Sequence, residues 1–526
     1  MSSPVASVPL WREPLLYRST VLAILVAGAC FRLIGVGSMN LWVDEAVIAN
    51  LAARGEMEEF LRSPGTNRPL GFLYLQHGLL SIHNSEWTVR LLAWLPSLAS
   101  LPLFVLASRL LLRSRAMQIA ALVLFAANPW LIVYAKEFKA YSIESFLCLA
   151  MVVGVVGWER TQARPYVRLF VVSAIGAVVF SFGGAMIAPV LAGALAWGQA
   201  NAGLPRRARS LGVLTLGLTG YLAVAAWLAL RGSAEDPAMV IYHDGFAPWA
   251  NAVQIPRWAF MKMSEALSQF SSLQSPLAFG FGDWLYRLVS GMTAGVGLVV
   301  LIREKRLISA LALSAPLLVP LGAALLGKWS FGVERINLFM VPTILLLVCS
   351  GLDAAVRSRP VWLQWVVPGL LIALQFPLAT TAWTGKPVEY RTQRQEIVDA
   401  MEVLRSRSPK GAPDETHISV NILAIPALNY YTRFHETERQ RFGGLFFGRR
   451  SILPESGNQD RMYQAMRATL RRHGRVYFLL SHYSVEDVAA LEQLVTDGQA
   501  EERERLAFPG VILALVEKAP PEQEGR

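Results

Sequence analysis

The sequence predicts a polytopic α-helical membrane protein ending in a soluble α/β domain, and two observations carry that prediction. Of the 526 residues, 54% are hydrophobic and 17% charged, with a mean hydropathy of +0.39. Much of the apolar content falls in runs of the ~18 or more residues that a hydrocarbon core requires. From about residue 385 the long apolar runs stop and charge rises.

By the length rule, about eleven spans are expected, near residues 20–37, 91–108, 116–133, 141–158, 166–180, 182–199, 210–230, 284–302, 307–326, 336–352 and 361–383. Arg12 and Arg18 precede the first run, which lacks a small-residue cleavage site, so a retained span is expected there. The fifth and sixth spans require a tight turn at Phe182-Gly183-Gly184.

The net charge of +11 is concentrated in alternate short loops: Arg109, Arg113 and Arg115; Arg160, Arg164 and Arg168; Arg206, Arg207 and Arg209; Arg303, Lys305 and Arg306; Arg357 and Arg359. This is the positive-inside pattern of a chain whose N-terminus is cytoplasmic. It explains the charge as topology and calls for no nucleic-acid partner. Residues 1–384 then form a membrane domain with external loops at 38–90 and 231–283, and residues 385–526 form an extracytoplasmic domain. Cys30, Cys148 and Cys349 all lie inside apolar runs, as packing residues with no disulfide framework.

In the first external loop, Val47, Ile48, Leu51, Met57, Phe60 and Leu61 recur at helical spacing, and residues 71–82 suit a second short helix. The expectation is a lid of two amphipathic helices lying on the membrane. In the tail, residues 417–421, 476–481 and 510–516 read as strands, and 425–434 and 485–495 as helices. Phe442 to Gly448 lacks the spacing of a phosphate-binding glycine turn, so nucleotide binding is not expected.

The chemistry centres on Leu41-Trp42-Val43-Asp44-Glu45, which puts two carboxylates just past the first span. The structural reading of Asp44 is an N-cap of the helix that follows. The functional reading is a general base that takes a proton from an incoming hydroxyl. Glu45 then orients or binds. Arg68, Lys136, Lys139 and Arg335 are cations on the outward side, against the topological bias. Each is either a solvated or headgroup-facing cation, or part of a site for an anionic phosphate leaving group. The seven histidines include no HExxH or close pair, so no metal site is expected.

Taken in order, Leu41 to Glu45, Asn67-Arg68-Pro69-Leu70-Gly71-Phe72-Leu73-Tyr74, Glu86-Trp87-Thr88-Val89-Arg90-Leu91 and Tyr134-Ala135-Lys136-Glu137-Phe138-Lys139-Ala140-Tyr141-Ser142 resemble a known family. It is the bacterial dolichyl-phosphate-mannose-protein mannosyltransferase-like group of family 39-like glycosyltransferases with the GT-C fold. These are related to protein O-mannosyltransferases and to the aminoarabinose transferase of lipid A. The resemblance covers roughly residues 1–384.

It implies that Asp44 is the catalytic base, with Glu45 beside it, and that Arg68 contacts the donor phosphate. Glu137 matches the acidic residue of the loop after the third span, and Lys139 stands where relatives commonly carry arginine. The lysine keeps the charge and loses the bidentate fork. Tyr141 closes the same polar, aromatic link and is grouped with the substrate-binding residues. Glu334-Arg335 resembles the family's Glu-Arg-Tyr element, with Ile336 replacing the tyrosine.

The implied activity is an inverting transfer from a polyprenyl-phosphate-linked sugar donor to an extracytoplasmic glycan, lipid or protein. The implied setting is the outer face of a bacterial cytoplasmic membrane, with no cofactor and with cations in place of a divalent metal. The rival readings are a lipid-linked sugar transporter and an inactive binding scaffold. A transporter calls for polar groups at mid-membrane, whereas here the ionisable residues lie at the outer boundary. The exception is Arg32, whose long side chain is expected to snorkel to the interface.

Overall fold

The computed structural model describes residues 12–37, 39–55, 69–232, 243–271, 281–333, 335–383, 397–407, 417–442, 450–454, 457–508 and 510–519. Each apolar run identified above is helical. Seven of the described helices are long and apolar enough to cross a membrane by length and composition: Leu15–Leu33, Leu91–Leu111, Tyr141–Thr161, Phe182–Asn201, Trp284–Arg303, Leu307–Leu325 and Arg335–Val356. This is the multi-pass helical architecture that the hydropathy predicts. Contacts divide the chain into two units, one made of Met1–Ile34, Ser63–Leu73 and Arg90–Pro387, the other of Gly35–Arg62, Tyr74–Val89 and Val388–Arg526.

In the first unit the helix Tyr141–Thr161 is the core element, with 89% of its apolar window buried. It packs on Leu91–Leu111, Arg164–Phe180, Phe182–Asn201 and Leu307–Leu325. Phe281–Arg303 and Val341–Val356 come together through small residues: a Cβ on Gly297 would strike the Leu347 carbonyl, and one on Gly351 the Thr293 carbonyl. Close backbone approach through small residues substitutes for the hydrophobic drive that lipid cannot supply.

Two boundaries differ from the sequence expectation. The third run is not one span but a helix Arg115–Ala126 followed by a short helix Pro129–Tyr134. Pro129 has no N–H to continue the first helix, while the Asn128 side chain accepts from Leu131 N–H and starts the second. The turn between the fifth and sixth runs sits at Ser181, extended at φ −152° and ψ 121°, one residue before the expected Phe182-Gly183-Gly184. Ser181 caps the next helix by accepting from Gly184 N–H at 2.7 Å.

Carboxylates tie helix ends together at one end of this unit. Glu159 accepts from Ile308 and Ser309 N–H at 3.0 and 2.9 Å, and Asp353 from Arg113 and Ser114 N–H at 3.0 and 3.1 Å. Free amides at a helix start favour such an anion. Glu304 bridges Arg113 and Arg357, and Glu13 bridges Arg109 and Arg115. Several of the basic loops therefore meet at this end. The C-terminal ends of Leu91–Leu111, Tyr141–Thr161 and Val341–Val356 lie here, so their N-terminal ends share the opposite one.

The second unit contains a five-stranded sheet, β1 (His417–Asn421), β2 (Arg450–Leu453), β3 (Arg475–Ser481), β4 (Ala500–Phe508) and β5 (Val511–Lys518), in the order β2-β1-β3-β5-β4. β1 is parallel to β2 and β3, and β5 is antiparallel to β3 and β4. The expected strands and helices of the tail are present. Two strands, β2 and β4, and two longer helices, Ile397–Arg407 and Gln459–His473, were not expected. β4 reads Ala-Glu-Glu-Arg-Glu-Arg-Leu-Ala-Phe, and charges on a sheet edge discourage pairing with other chains while erasing the apolar signature of a strand. Gln459–His473 turns Met462, Met466 and Leu470 onto Val476, Phe478, Leu491 and Val516.

Residues 39–55 and 74–89 of the first external segment belong to this unit. Val43–Arg54 buries Ile48, Ala49, Leu51 and Ala52 and packs on the segment Ile425–Phe434. Asn50 donates to the Pro426 carbonyl at 2.7 Å and Leu41 N–H to the Tyr431 hydroxyl at 2.8 Å. His435 fastens the seam a second time: its Nδ1 accepts from Glu438 N–H, so Nε2 carries the proton donated to Glu86 at 2.8 Å.

Candidate functional site

The helix Val43–Arg54 starts with Trp42 as N-cap, which places Asp44 and Glu45 in its first turn. Asp44 is therefore not the cap, contrary to the structural reading of the sequence. Capping falls to Glu45, which is 1% exposed and accepts from Trp42 N–H at 3.4 Å. The indole of Trp42 has no acceptor for the reciprocal bond. The two carboxylates thus divide their work: Glu45 turns back into the helix start, and Asp44 stays half-buried with its charge near the helix's positive end.

Beside Asp44, in the same unit, stands His482 from the end of β3. Its ring lies 6.5 Å from the Trp42 ring, tilted by 41°. Burial pushes the His482 imidazole below the ordinary histidine value, and the Asp44 charge pulls partly the other way. A separation of more than 400 residues hid this neighbour from sequence reasoning.

In the helical unit, the link from Asn128 to Tyr141 is fixed by its own polar and aromatic residues. Asn128 donates to the Phe270 carbonyl at 3.0 Å, Trp130 meets Phe270 edge-on at 5.5 Å, and Ser142 donates to the Tyr134 carbonyl. Tyr141, half-buried at the start of its helix, stands perpendicular to Tyr134 at 5.5 Å. Lys136 and Lys139 are 7% and 2% exposed, so both turn inward rather than toward headgroups. Glu137, between them, is half-buried, and its carbonyl accepts from Lys139 N–H.

Arg335 opens the turn Arg335–Met340 before the helix Val341–Val356 and is partly exposed. Asn337 fixes that turn, accepting from the Trp329 indole at 2.8 Å and donating to the Ser330 and Gly332 carbonyls. Arg68 and Glu334 lie outside the described residues.

Sequence reasoning missed Arg90, which precedes Leu91–Leu111 and is 1% exposed. The signal was available, since Arg90 is an arginine at the outward end of an expected span. Because the N-terminal ends of three helices share one end of this unit, Arg90, the Lys136–Lys139 link and Arg335 are all at that end. Asp44 and Glu45 belong to the unit with the sheet.

Two other sequence expectations need correction. Arg32 does not snorkel: it is 0% exposed, with Nε donating to Ser97, one guanidinium nitrogen to the Gly28 and Ala126 carbonyls and the other to the Phe125 carbonyl. Cys148 and Cys349 are buried packing residues as expected, but Cys30 is exposed on the outside of its helix.

No protein-family model matches this chain, and no curated protein matches it. Among solved structures the chain is similar to ArnT from Cupriavidus metallidurans in the apo state, at 12% identity and a TM-score of 0.49, over 97% of this chain and 99% of that one. It is similar also to ArnT from the same organism bound to undecaprenyl phosphate, at 13% identity and a TM-score of 0.47, with the same coverage.

Proposed function

We propose that this chain is an inverting glycosyltransferase of the GT-C type, which moves a sugar from a polyprenyl-phosphate-linked donor to a glycan, lipid or protein acceptor outside the cytoplasm. The observation that carries the reading is the gathering of Arg90, Lys136 and Lys139, each at most 7% exposed, at the Arg335 end of the helical unit. Positive charge concentrated at one end of a membrane-embedded helical unit raises the potential there and suits an anionic leaving group.

In the proposed reaction the acceptor oxygen attacks the anomeric carbon as its proton passes to Asp44. The bond from that carbon to the phosphate oxygen breaks, and the lipid phosphate leaves with the electron pair. Arg68, Lys139 and Arg335 stabilise the charge that develops on it. Glu137 and Tyr141 are grouped with the substrate-binding residues, and Glu45 holds the turn that presents Asp44. A single displacement inverts the anomeric centre, and Asp44 acts as base rather than nucleophile. A transporter of the same lipid-linked sugar would also meet its phosphate with cations but would have no use for a poised base. Lipid extracts of a deletion strain test the reading: an accumulated polyprenyl-phosphate sugar is expected, and an unchanged lipid profile would count against it.

Arg68→Ala and Arg335→Ala should each remove a charge-assisted contact worth about 1.5 to 3 kcal/mol. Donor use should then fall by roughly ten- to a hundredfold, read as kcat/KM for the donor. Wild-type kinetics in both would return these arginines to a headgroup role.

The proposed site faces the periplasm or cell exterior of a bacterial inner-membrane protein, which requires positions 68 and 500 outside and 207 and 305 inside. Single cysteines at these positions, in a background where Cys30, Cys148 and Cys349 are replaced, should react with an impermeant reagent in spheroplasts only at 68 and 500. Labelling at 207, or protection at 500, would overturn this orientation.

A further inference from the structure

We infer that His482, carried by the C-terminal domain, is a proton-relay and positioning residue that acts through Asp44, so that the sheet domain supplies part of the transfer machinery. The inference rests on the reading of Asp44 as base.

The geometry begins with how firmly His482 is held. Asn421, at the end of β1, clamps the end of β3 twice, donating to the Ser481 carbonyl at 2.7 Å and accepting from Ser481 N–H at 3.0 Å. Ser481 also pairs with Val511 of β5. The next residue, His482, donates its N–H to the Gly510 carbonyl at 3.0 Å and takes φ +52°, the left-handed region that side chains other than glycine seldom adopt. Such a conformation persists where its surroundings impose it, and it concentrates at working sites. Here it sets the imidazole against Trp42, two residues before Asp44.

The surrounding charges single out one partner. Glu45, on the same helix as Asp44, is turned toward Trp42 N–H. On the helix Val485–Thr496, which follows His482, Asp487 accepts from Ser484 N–H at 2.9 Å and Glu486 is exposed. Among the described residues Asp44 is the charged group whose field reaches the His482 ring, and burial favours the neutral ring at neutral pH.

A neutral imidazole beside a carboxylate that has just gained a proton can receive it. The acceptor O–H bond breaks and its proton joins the Asp44 carboxylate. That proton then passes through a bridging water to the free ring nitrogen of His482, and the imidazolium releases it to solvent. Asp44 is ionised again for the next turnover, with charge balanced at every step.

The test uses the full-length protein in detergent with a defined polyprenyl-phosphate sugar donor. His482→Gly accepts the positive φ without strain and leaves a ring-sized space; His482→Asn tolerates the same backbone. Turnover of both should fall on the order of tenfold, a modest share of what proton transfer contributes. KM for the donor should hold, and added imidazole should restore His482→Gly increasingly as pH rises and the free base predominates. Turnover within twofold of wild type in both variants, or a loss that imidazole does not restore, overturns the proposal.

A second measurement is independent of turnover and of how the variants fold. In protein labelled at histidine Cε1, the His482 titration midpoint should move to lower pH in Asp44→Asn, because the charge that favours imidazolium is gone. An unmoved midpoint overturns the pairing. Failure of the base reading looks different: Asp44→Asn would then turn over normally, whatever the His482 variants do.

Discussion

Asp44→Asn is expected to lower sugar transfer by about 10²- to 10⁴-fold while thermal stability and donor affinity stay near wild type. The carboxamide has the shape of the carboxylate and cannot take the acceptor's proton. The structure makes this test cleaner than the sequence alone did. Had Asp44 been the N-cap, a substitution would have mixed chemistry with folding. Trp42 occupies that position, and the bond back to its N–H comes from Glu45. What the folded state loses is one half-exposed anion near a helix start, worth roughly 0.3 to 1 kcal/mol. The measurement is transfer from a defined polyprenyl-phosphate donor, with a melting curve on the same sample. Near-normal turnover would remove Asp44 from the mechanism.

The sequence made the helical unit legible because lipid imposes one rule everywhere along it. Backbone groups must pair within their own segment, so each apolar run had to be a helix. Local chemistry, not hydropathy, decided where those helices break. Pro129 interrupts a run that hydropathy reads as continuous, and Ser181 turns the chain two residues before the glycines expected to do so. The tail was less legible because β4 is an edge strand written in glutamate and arginine, which has no apolar alternation to read. In the candidate site, single residues could be proposed from type and place, as with Asp44, Lys139 and Arg335. Their surroundings depend on long-range folding: Arg90 is buried rather than exposed, Lys136 and Lys139 turn inward, and His482 reaches Asp44's helix only because Asn421 and Gly510 fix the end of β3.

Arg32 gives the second large expected effect, because it repairs the break at Pro129. A helix carbonyl normally accepts from the N–H four residues on, and for Phe125 that residue is Pro129, which has none. The Ala126 carbonyl is left over in the same last turn, where the chain passes to the Asn128 cap of the next helix. The Arg32 guanidinium takes both, donating at 3.1 and 2.8 Å, with Ser97 and Gly28 as its other acceptors. A cation at a helix C-terminus is favourable on its own account, and here it also meets two orphaned acceptors in a dry interior. Arg32→Met fills much of the same space and leaves those carbonyls unpaired, at roughly 1 to 3 kcal/mol each. Part of this is offset by no longer burying a charge, so a net loss of about 2 to 4 kcal/mol is expected. Arg32→Lys should fall between, since one ammonium cannot copy the planar fork. The break also anchors the link that holds Lys136 and Lys139, so donor kcat/KM should fall with stability in Arg32→Met. Thermal unfolding in detergent and donor kinetics measure the two effects together. Adding Pro129→Ala to Arg32→Met should recover part of the stability by returning an N–H to the Phe125 carbonyl. Wild-type melting in Arg32→Met would show that these carbonyls find other donors and that Arg32 does not hold the break.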